Sequence, residues 1–162
     1  MNKNSLSARQ HPSPRLHKVT FAPVLSEPSV LRAASFPSVL VIDDSPTIRK
    51  IVETTLRREG YAVTAFADGN SALAWLLQPH QPPPSLILVD IGLPDVDGYT
   101  ILRWLKARRR FSATTCIVIS RRDGLGDKLK GRLAGAKAYL PKPFTTRALL
   151  EIVRNYVMVD EA

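Results

Sequence analysis

The chain has 162 residues, 44% of them hydrophobic and 23% charged, which fits one ordinary globular domain with a short appendage. No run of about 18 uncharged apolar residues occurs, so a transmembrane helix is excluded on length, and the single cysteine excludes both an internal disulfide and a Cys-rich zinc site. A net charge of +9 draws the chain to nucleic acid, anionic membrane or acidic partners without choosing among them.

Residues 1–37 contain Pro12, Pro14, Pro23, Pro28 and Pro37, and Lys3, Arg9, Arg15, Lys18 and Arg32 against Glu27 alone. No helical or strand periodicity runs through them, so they read as a disordered basic arm. Organelle transit peptides share this composition, but scattered prolines oppose the amphipathic helix they need. His11, His17 and His80 lie in Pro-rich stretches without metal-ligand spacing.

The pattern changes at Ser38. Residues 38–42 form a buried-strand run, and Ser45-Pro46 is an N-cap followed by proline at the first helical position. Ile48, Ile51, Val52, Thr55 and Leu56 give that helix one apolar face, and Gly60 stops it. A second strand spans 61–66. Asp68-Gly69 then turns the chain into a helix through Ala72, Leu73, Leu76 and Leu77, ended before Pro79. The stretch from Pro79 to Pro84 is a stiff connector.

The third strand covers 86–89 and the third helix 99–107. The fourth strand covers 115–119, where Cys116 reads as a small buried hydrophobe. A short, weakly apolar helix over 123–134 follows, then a fifth strand over 136–140. The last helix runs over 145–157 with Leu149, Leu150, Ile152, Val153 and Val157 apolar. This alternation predicts a flavodoxin-like, doubly wound (βα)5 parallel sheet with strand order 2-1-3-4-5. The expected organisation is an arm over 1–37, one domain over 38–158 and a tail over 159–162.

In such folds the site lies beyond the carboxyl ends of the strands. Asp43 and Asp44 follow the first strand, Asp90 the third, Ser120 the fourth and Lys142 the fifth. Turns favour Asp and Ser one at a time; five polar groups aimed at one spot are a site. Clustered carboxylates repel unless a cation neutralises them. Mg²⁺ suits them, since it takes a few carboxylates, keeps waters and bridges to phosphate oxygens. An Asp can attack phosphorus, while Lys and Ser can hold phosphoryl oxygens. Positioning and charge neutralisation do most of the work in phosphoryl transfer.

The stretches Val41-Ile-Asp-Asp-Ser45, Val89-Asp-Ile-Gly-Leu-Pro-Asp-Val-Asp-Gly98 and Gly135-Ala-Lys-Ala-Tyr-Leu-Pro-Lys-Pro-Phe144 resemble the three signatures of the response-regulator receiver family. The resemblance covers residues 38–157. It implies that Asp90 is the phosphoacceptor and that Asp43 and Asp44 form the acidic pocket. Asp44, Asp90 and the carbonyl of Gly92 would be the direct Mg²⁺ ligands. Ser120 would be the switch hydroxyl, Tyr139 the rotating aromatic, and Lys142 the phosphoryl-binding lysine before a cis Pro143. The helix start Ser45-Pro-Thr-Ile-Arg-Lys-Ile51 is similar to stand-alone receivers of chemotaxis and type IV pilus twitching pathways.

The resemblance further implies a cytoplasmic two-component switch charged by a histidine kinase or phosphotransfer protein. It would be no enzyme beyond its own aspartyl phosphorylation and dephosphorylation. Few residues follow the last helix, so output is expected through a partner on the fourth helix, fifth strand and fifth helix. Arg121 stands beside Ser120 where a small residue is common, and a guanidinium there could gate the phosphoryl group. Gly92 and Arg122 lie where side chains often tune dephosphorylation.

Other readings compete. The domain could be a scaffold for a basic arm that grips nucleic acid or membrane. A haloacid-dehalogenase enzyme would need a second Asp where Gly92 stands, and Asp43-Asp44 would repel the phosphate of a flavodoxin's flavin. Arg108-Arg110 with Arg103 and Lys106 could meet phosphates or form a solvated helix end. Trp75 and Trp104 read as core or rim residues, and Asp95 and Asp97 as turn residues.

Overall fold

The structure is a computed structural model that describes residues 36–121 and 124–157. The expected arm, the tail and the positions of Arg122 and Asp123 lie outside the described residues, Phe36 and Pro37 excepted.

Five strands, β1 (Ser38–Ile42), β2 (Ala62–Phe66), β3 (Leu86–Asp90), β4 (Thr115–Ser120) and β5 (Ala138–Pro141), alternate with five helices. These are α1 (Pro46–Arg58), α2 (Gly69–Leu76), α3 (Gly98–Lys106), α4 (Leu125–Ala134) and α5 (Thr146–Tyr156). All strand pairs are parallel, in the order β2-β1-β3-β4-β5. This is the expected doubly wound arrangement.

Side chains of a strand alternate between faces, and here they divide one core into two layers. Leu40, Ile42, Ile87, Val89 and Val118 pack with α2 and α3, including Ala72, Leu76, Ile101, Leu102 and Leu105. Val39, Val41, Leu88, Ile117 and Ile119 pack against α1 and α5 through Val52, Leu56, Leu149 and Val153. Because both faces are covered, β1, β3 and β4 read as continuous apolar runs rather than alternating ones. Cys116 lies in the first layer, and burial alone pushes its thiol up to about 12.

The helix starts follow local chemistry. Ser45 accepts the Ile48 N–H, Asp68 the Ser71 N–H and Thr145 the Ala148 N–H, so each caps its own helix. Gly60, at φ +88°, ends the turn after α1 in a conformation that favours glycine. Trp75 and Trp104 are partly buried against the core.

Two regions add to the sequence expectation. The basic residues after α3 are exposed, as a solvated helix end would be, and Arg109–Phe111 form a short 3-10 turn there. Arg108 lies 3.7 Å over the Trp104 ring and donates to the Trp104 carbonyl at 2.8 Å, while Arg110 donates to the carbonyls of Gln78 and Gln81 in the connector. With Arg103 on Thr100 and Lys106 on the Leu133 carbonyl, these cations tie chain segments together. Secondly, α4 turns its leucines outward: Leu125, Leu129 and Leu133 are 87%, 59% and 71% exposed.

Candidate functional site

Parallel strands all end on the same edge, so the residue after each strand is delivered to a common place. Asp43 and Asp44 follow β1, Asp90 ends β3, Ser120 ends β4, and Lys142 follows β5. The structure brings them together. The Lys142 Nζ lies 2.6 Å from Asp43 Oδ2 and 2.8 Å from Asp90 Oδ2. Gly92 donates its N–H to the other Asp90 oxygen at 2.9 Å. Asp44, Asp90, Gly92, Ser120, Arg121, Lys142 and Pro143 line an open cleft of about 690 Å³, which Ser45, Thr47 and Ile48 close from the α1 side. The Lys142–Pro143 bond is cis.

Asp43 is fully buried, and burial pushes its carboxyl above the usual carboxylate range despite Lys142 and the Ser45 N–H. Burial works the other way on Lys142, but its bonds to Asp43 and Asp90 outweigh it and hold the ammonium above its ordinary value. The two shifts have different causes: desolvation raises Asp43, whereas the neighbouring carboxylates raise Lys142. Among the described residues Lys142 is the partner that compensates the buried Asp43 Oδ2, through their 2.6 Å ion pair.

Oxygens of Asp43, Asp44 and Asp90 all lie within 4.8 Å of one another. Opposite ligands of an octahedral Mg²⁺ are separated by about 4.2 Å, so small side-chain adjustments suffice to hold one. The hard, all-oxygen donor set fits that ion.

The response regulator receiver domain model matches residues 39–154. The chain belongs to that family. This receiver is 43% identical over 119 residues to the protein PilG of Pseudomonas aeruginosa, which covers 74% of this chain and 86% of PilG. It spans about half of other curated relatives, 43% to 53% of their length. Among solved structures, the chemotaxis response regulator CheY4 of Vibrio cholerae superposes with a TM-score of 0.70 at 28% identity, over 75% of this chain and 98% of that one. The receiver domain of the sensor histidine kinase PA1611 of Pseudomonas aeruginosa has a TM-score of 0.67 at 30% identity, again over 75% and 98%. That structure is described with a magnesium ion coordinated in its active-site cleft.

The receiver's remaining predicted residues also gather here. Ser120 is buried at the end of β4. Tyr139, on β5, is half-buried and hydrogen-bonded to Ser120 and Tyr99; burial raises its phenol above the ordinary value and these bonds oppose the rise. Arg121 is exposed at the cleft rim.

Two contributors were not legible in the sequence, and of a third only the position was. Arg49 reaches back from α1 to the carbonyls of both Asp43 and Asp44. Asp95 caps α2 from the β3–α3 loop, accepting the Gly69 and Asn70 N–H groups at 3.0 and 2.7 Å, whereas Asp97 caps its own helix α3. Gly98 lies against the strand end: a Cβ there would come within 2.6 Å of Ile91 Cα and collide with the Asp90 carbonyl. The Gly98 signature position had a signal, but its reason is a contact no local pattern reveals.

Proposed function

We propose that this chain is a phosphorylation-driven signalling switch whose phosphoacceptor is Asp90. The observation that carries the reading is the Lys142 ammonium bonded at once to Asp43 and Asp90 in the open cleft. A carboxylate oxygen of Asp90 attacks the phosphorus of a phosphohistidine on a histidine kinase or phosphotransfer protein. The P–N bond breaks, the imidazole leaves with the bonding pair, and an aspartyl phosphate remains. Asp43, Asp44, Asp90 and the Gly92 carbonyl would hold Mg²⁺, which supplies charge neutralisation to the phosphoryl oxygens. Lys142 binds a phosphoryl oxygen as a point charge, and the Ser120 hydroxyl donates to another. With a small acyl phosphate, the intact mass should rise by one phosphoryl group only when Mg²⁺ is present; a rise that survives EDTA would contradict the acidic pocket's role.

Output would pass from Ser120 through Tyr139 to the face formed by α4, β5 and α5. Tyr139 supports this because it bonds to Ser120 on one side and lines, with Leu125 and Leu129, a groove beside α4 on the other. Lys128, Arg132 and Lys137 border that groove, so the partner segment is acidic as well as apolar. Leu129→Asp should lower affinity for an output partner at least about tenfold, a loss of roughly 1.4 kcal/mol, while phosphorylation is unchanged. Equal partner affinity measured by titration calorimetry would remove this face from the reading.

Arg121 would gate the phosphoryl group, either covering it or pairing with it through charge-assisted bonds. Its place at the cleft rim supports the role. Arg121→Ala should shorten the phosphorylated lifetime, followed by mass spectrometry after donor removal; an unchanged lifetime would leave Arg121 a solvent residue.

A scaffold that uses its basic arm on nucleic acid or membrane is the second reading. The net charge favours it, but the cations at Arg103, Lys106, Arg108 and Arg110 are engaged within the fold. Salt-dependent DNA binding that persists without Asp90 would support it.

A further inference from the structure

Arg49 occupies an unfavourable place for a cation. It lies at the start of α1, where the partial charge of the helix end is positive, and no acidic residue occupies that first turn. Its guanidinium nevertheless turns back over the helix end. One nitrogen, Nη1, donates to the Asp43 carbonyl at 2.7 Å and to the Asp44 carbonyl at 3.0 Å. Consecutive carbonyls held on one cation restrict the rotation of the peptide units that carry both carboxylates.

The rest of the loop is braced on the same side. The Asp43 N–H donates to the Phe66 carbonyl at 3.1 Å and the Arg49 N–H to the Ser45 carbonyl at 3.0 Å. The Ser45 N–H donates to Asp43 Oδ1 at 2.9 Å, which orients the buried carboxylate. Asp44 is different: it is exposed and outside both strand and helix, and its carbonyl is held by Arg49.

We propose that Arg49 is a positioning residue for the cation site, fixing the Asp43-Asp44 backbone so that both carboxylates stand beside Asp90 before Mg²⁺ arrives. This rests on the reading of Asp43, Asp44 and Asp90 as an Mg²⁺ pocket. The clamp lowers the reorganisation needed on binding, and its positive charge offsets repulsion between the acids. Removing groups that orient metal ligands typically weakens affinity about 10- to 100-fold. Because the ligands themselves remain, the defect belongs to metal affinity and not to the transfer step.

The test is an Mg²⁺ titration of the full chain by calorimetry, with Arg49→Gln and Arg49→Lys beside the wild type. Small-donor phosphorylation is then followed across Mg²⁺ concentrations. Arg49→Gln should bind Mg²⁺ about tenfold more weakly, and its phosphorylation rate should return to near the wild-type value at saturating Mg²⁺. Arg49→Lys, which keeps the charge but not the planar fork, should fall between the two. Wild-type affinity in folded Arg49→Gln overturns the inference, as does a rate that excess Mg²⁺ does not restore. If Arg49→Gln fails to fold, wild-type affinity in Arg49→Lys overturns it equally. Absence of Mg²⁺ binding by the wild type would instead overturn the reading of the pocket, and this inference with it.

Discussion

Asp90→Asn should leave the protein folded and unable to gain a phosphoryl group. Asparagine keeps the shape of the side chain, so its carboxamide oxygen can still accept the Gly92 N–H that Asp90 Oδ1 accepts at 2.9 Å. What disappears is the nucleophile, because a neutral amide does not attack phosphorus as a carboxylate does. Asp43 and Asp44 remain, yet neither is expected to replace Asp90: Asp43 is fully buried, and Asp44 is not among the carboxylates that Lys142 grips. The substitution also removes one of three neighbouring negative charges, and Lys142 keeps Asp43 as its partner. Thermal stability should therefore match or exceed that of the wild type. Intact mass after incubation with a small acyl phosphate and Mg²⁺ reads the chemistry, and circular dichroism reads the fold. A folded variant that still gains one phosphoryl group would place the acceptor elsewhere.

Lys142→Met should have the largest effect on stability of any substitution in the cleft. The methionine fills much of the lysine stem's volume but removes the charge. Asp43 and Asp90 are then left without their common counter-ion, at 2.6 and 2.8 Å in the parent. Breaking a buried pair by removing one partner costs about 3–5 kcal/mol; the open cleft admits water on the Asp90 side, so the lower end, about 3 kcal/mol, is expected. Urea denaturation with Mg²⁺ chelated measures it, and adding Mg²⁺ should recover part of the loss by neutralising the same carboxylates. The aspartyl phosphate, if formed, would lack the cation that pulls its oxygens toward β5, so partner affinity should no longer respond to phosphorylation. A midpoint unchanged from the wild type would show that the two carboxylates do not depend on Lys142.

The amino-acid sequence alone determined the architecture and the polar residues at the strand ends. Apolar runs of strand length alternating with amphipathic helices leave few topologies once right-handed crossovers are required, and β1 to β5 follow the expected order. Asp43, Asp44, Asp90, Ser120 and Lys142 were readable because each stands beside a recognisable strand, and a parallel sheet brings all such ends to one edge. Boundaries moved by a residue or two, as at β5, because helix and strand ends depend on partners more than on propensity.

Only the tertiary structure decided what holds those residues in place. The double grip of Lys142, the Arg49 clamp on two carbonyls, the Asp95 cap on α2 and the approach of Gly98 to Asp90 all join segments through contacts that side-chain periodicity does not encode. The basic run at Arg108–Arg110 was open to a phosphate reading for the same reason: local charge is visible in a sequence, but the Trp104 ring and connector carbonyls that engage it are not. The outward leucines of α4 show the limit from the other side. Leu125, Leu129 and Leu133 recur at helical spacing and could equally have faced the core; the packing of Gly131 and Ala134 inward left them in solvent. Periodicity finds an apolar stripe, whereas which neighbour covers it is a property of the assembled fold.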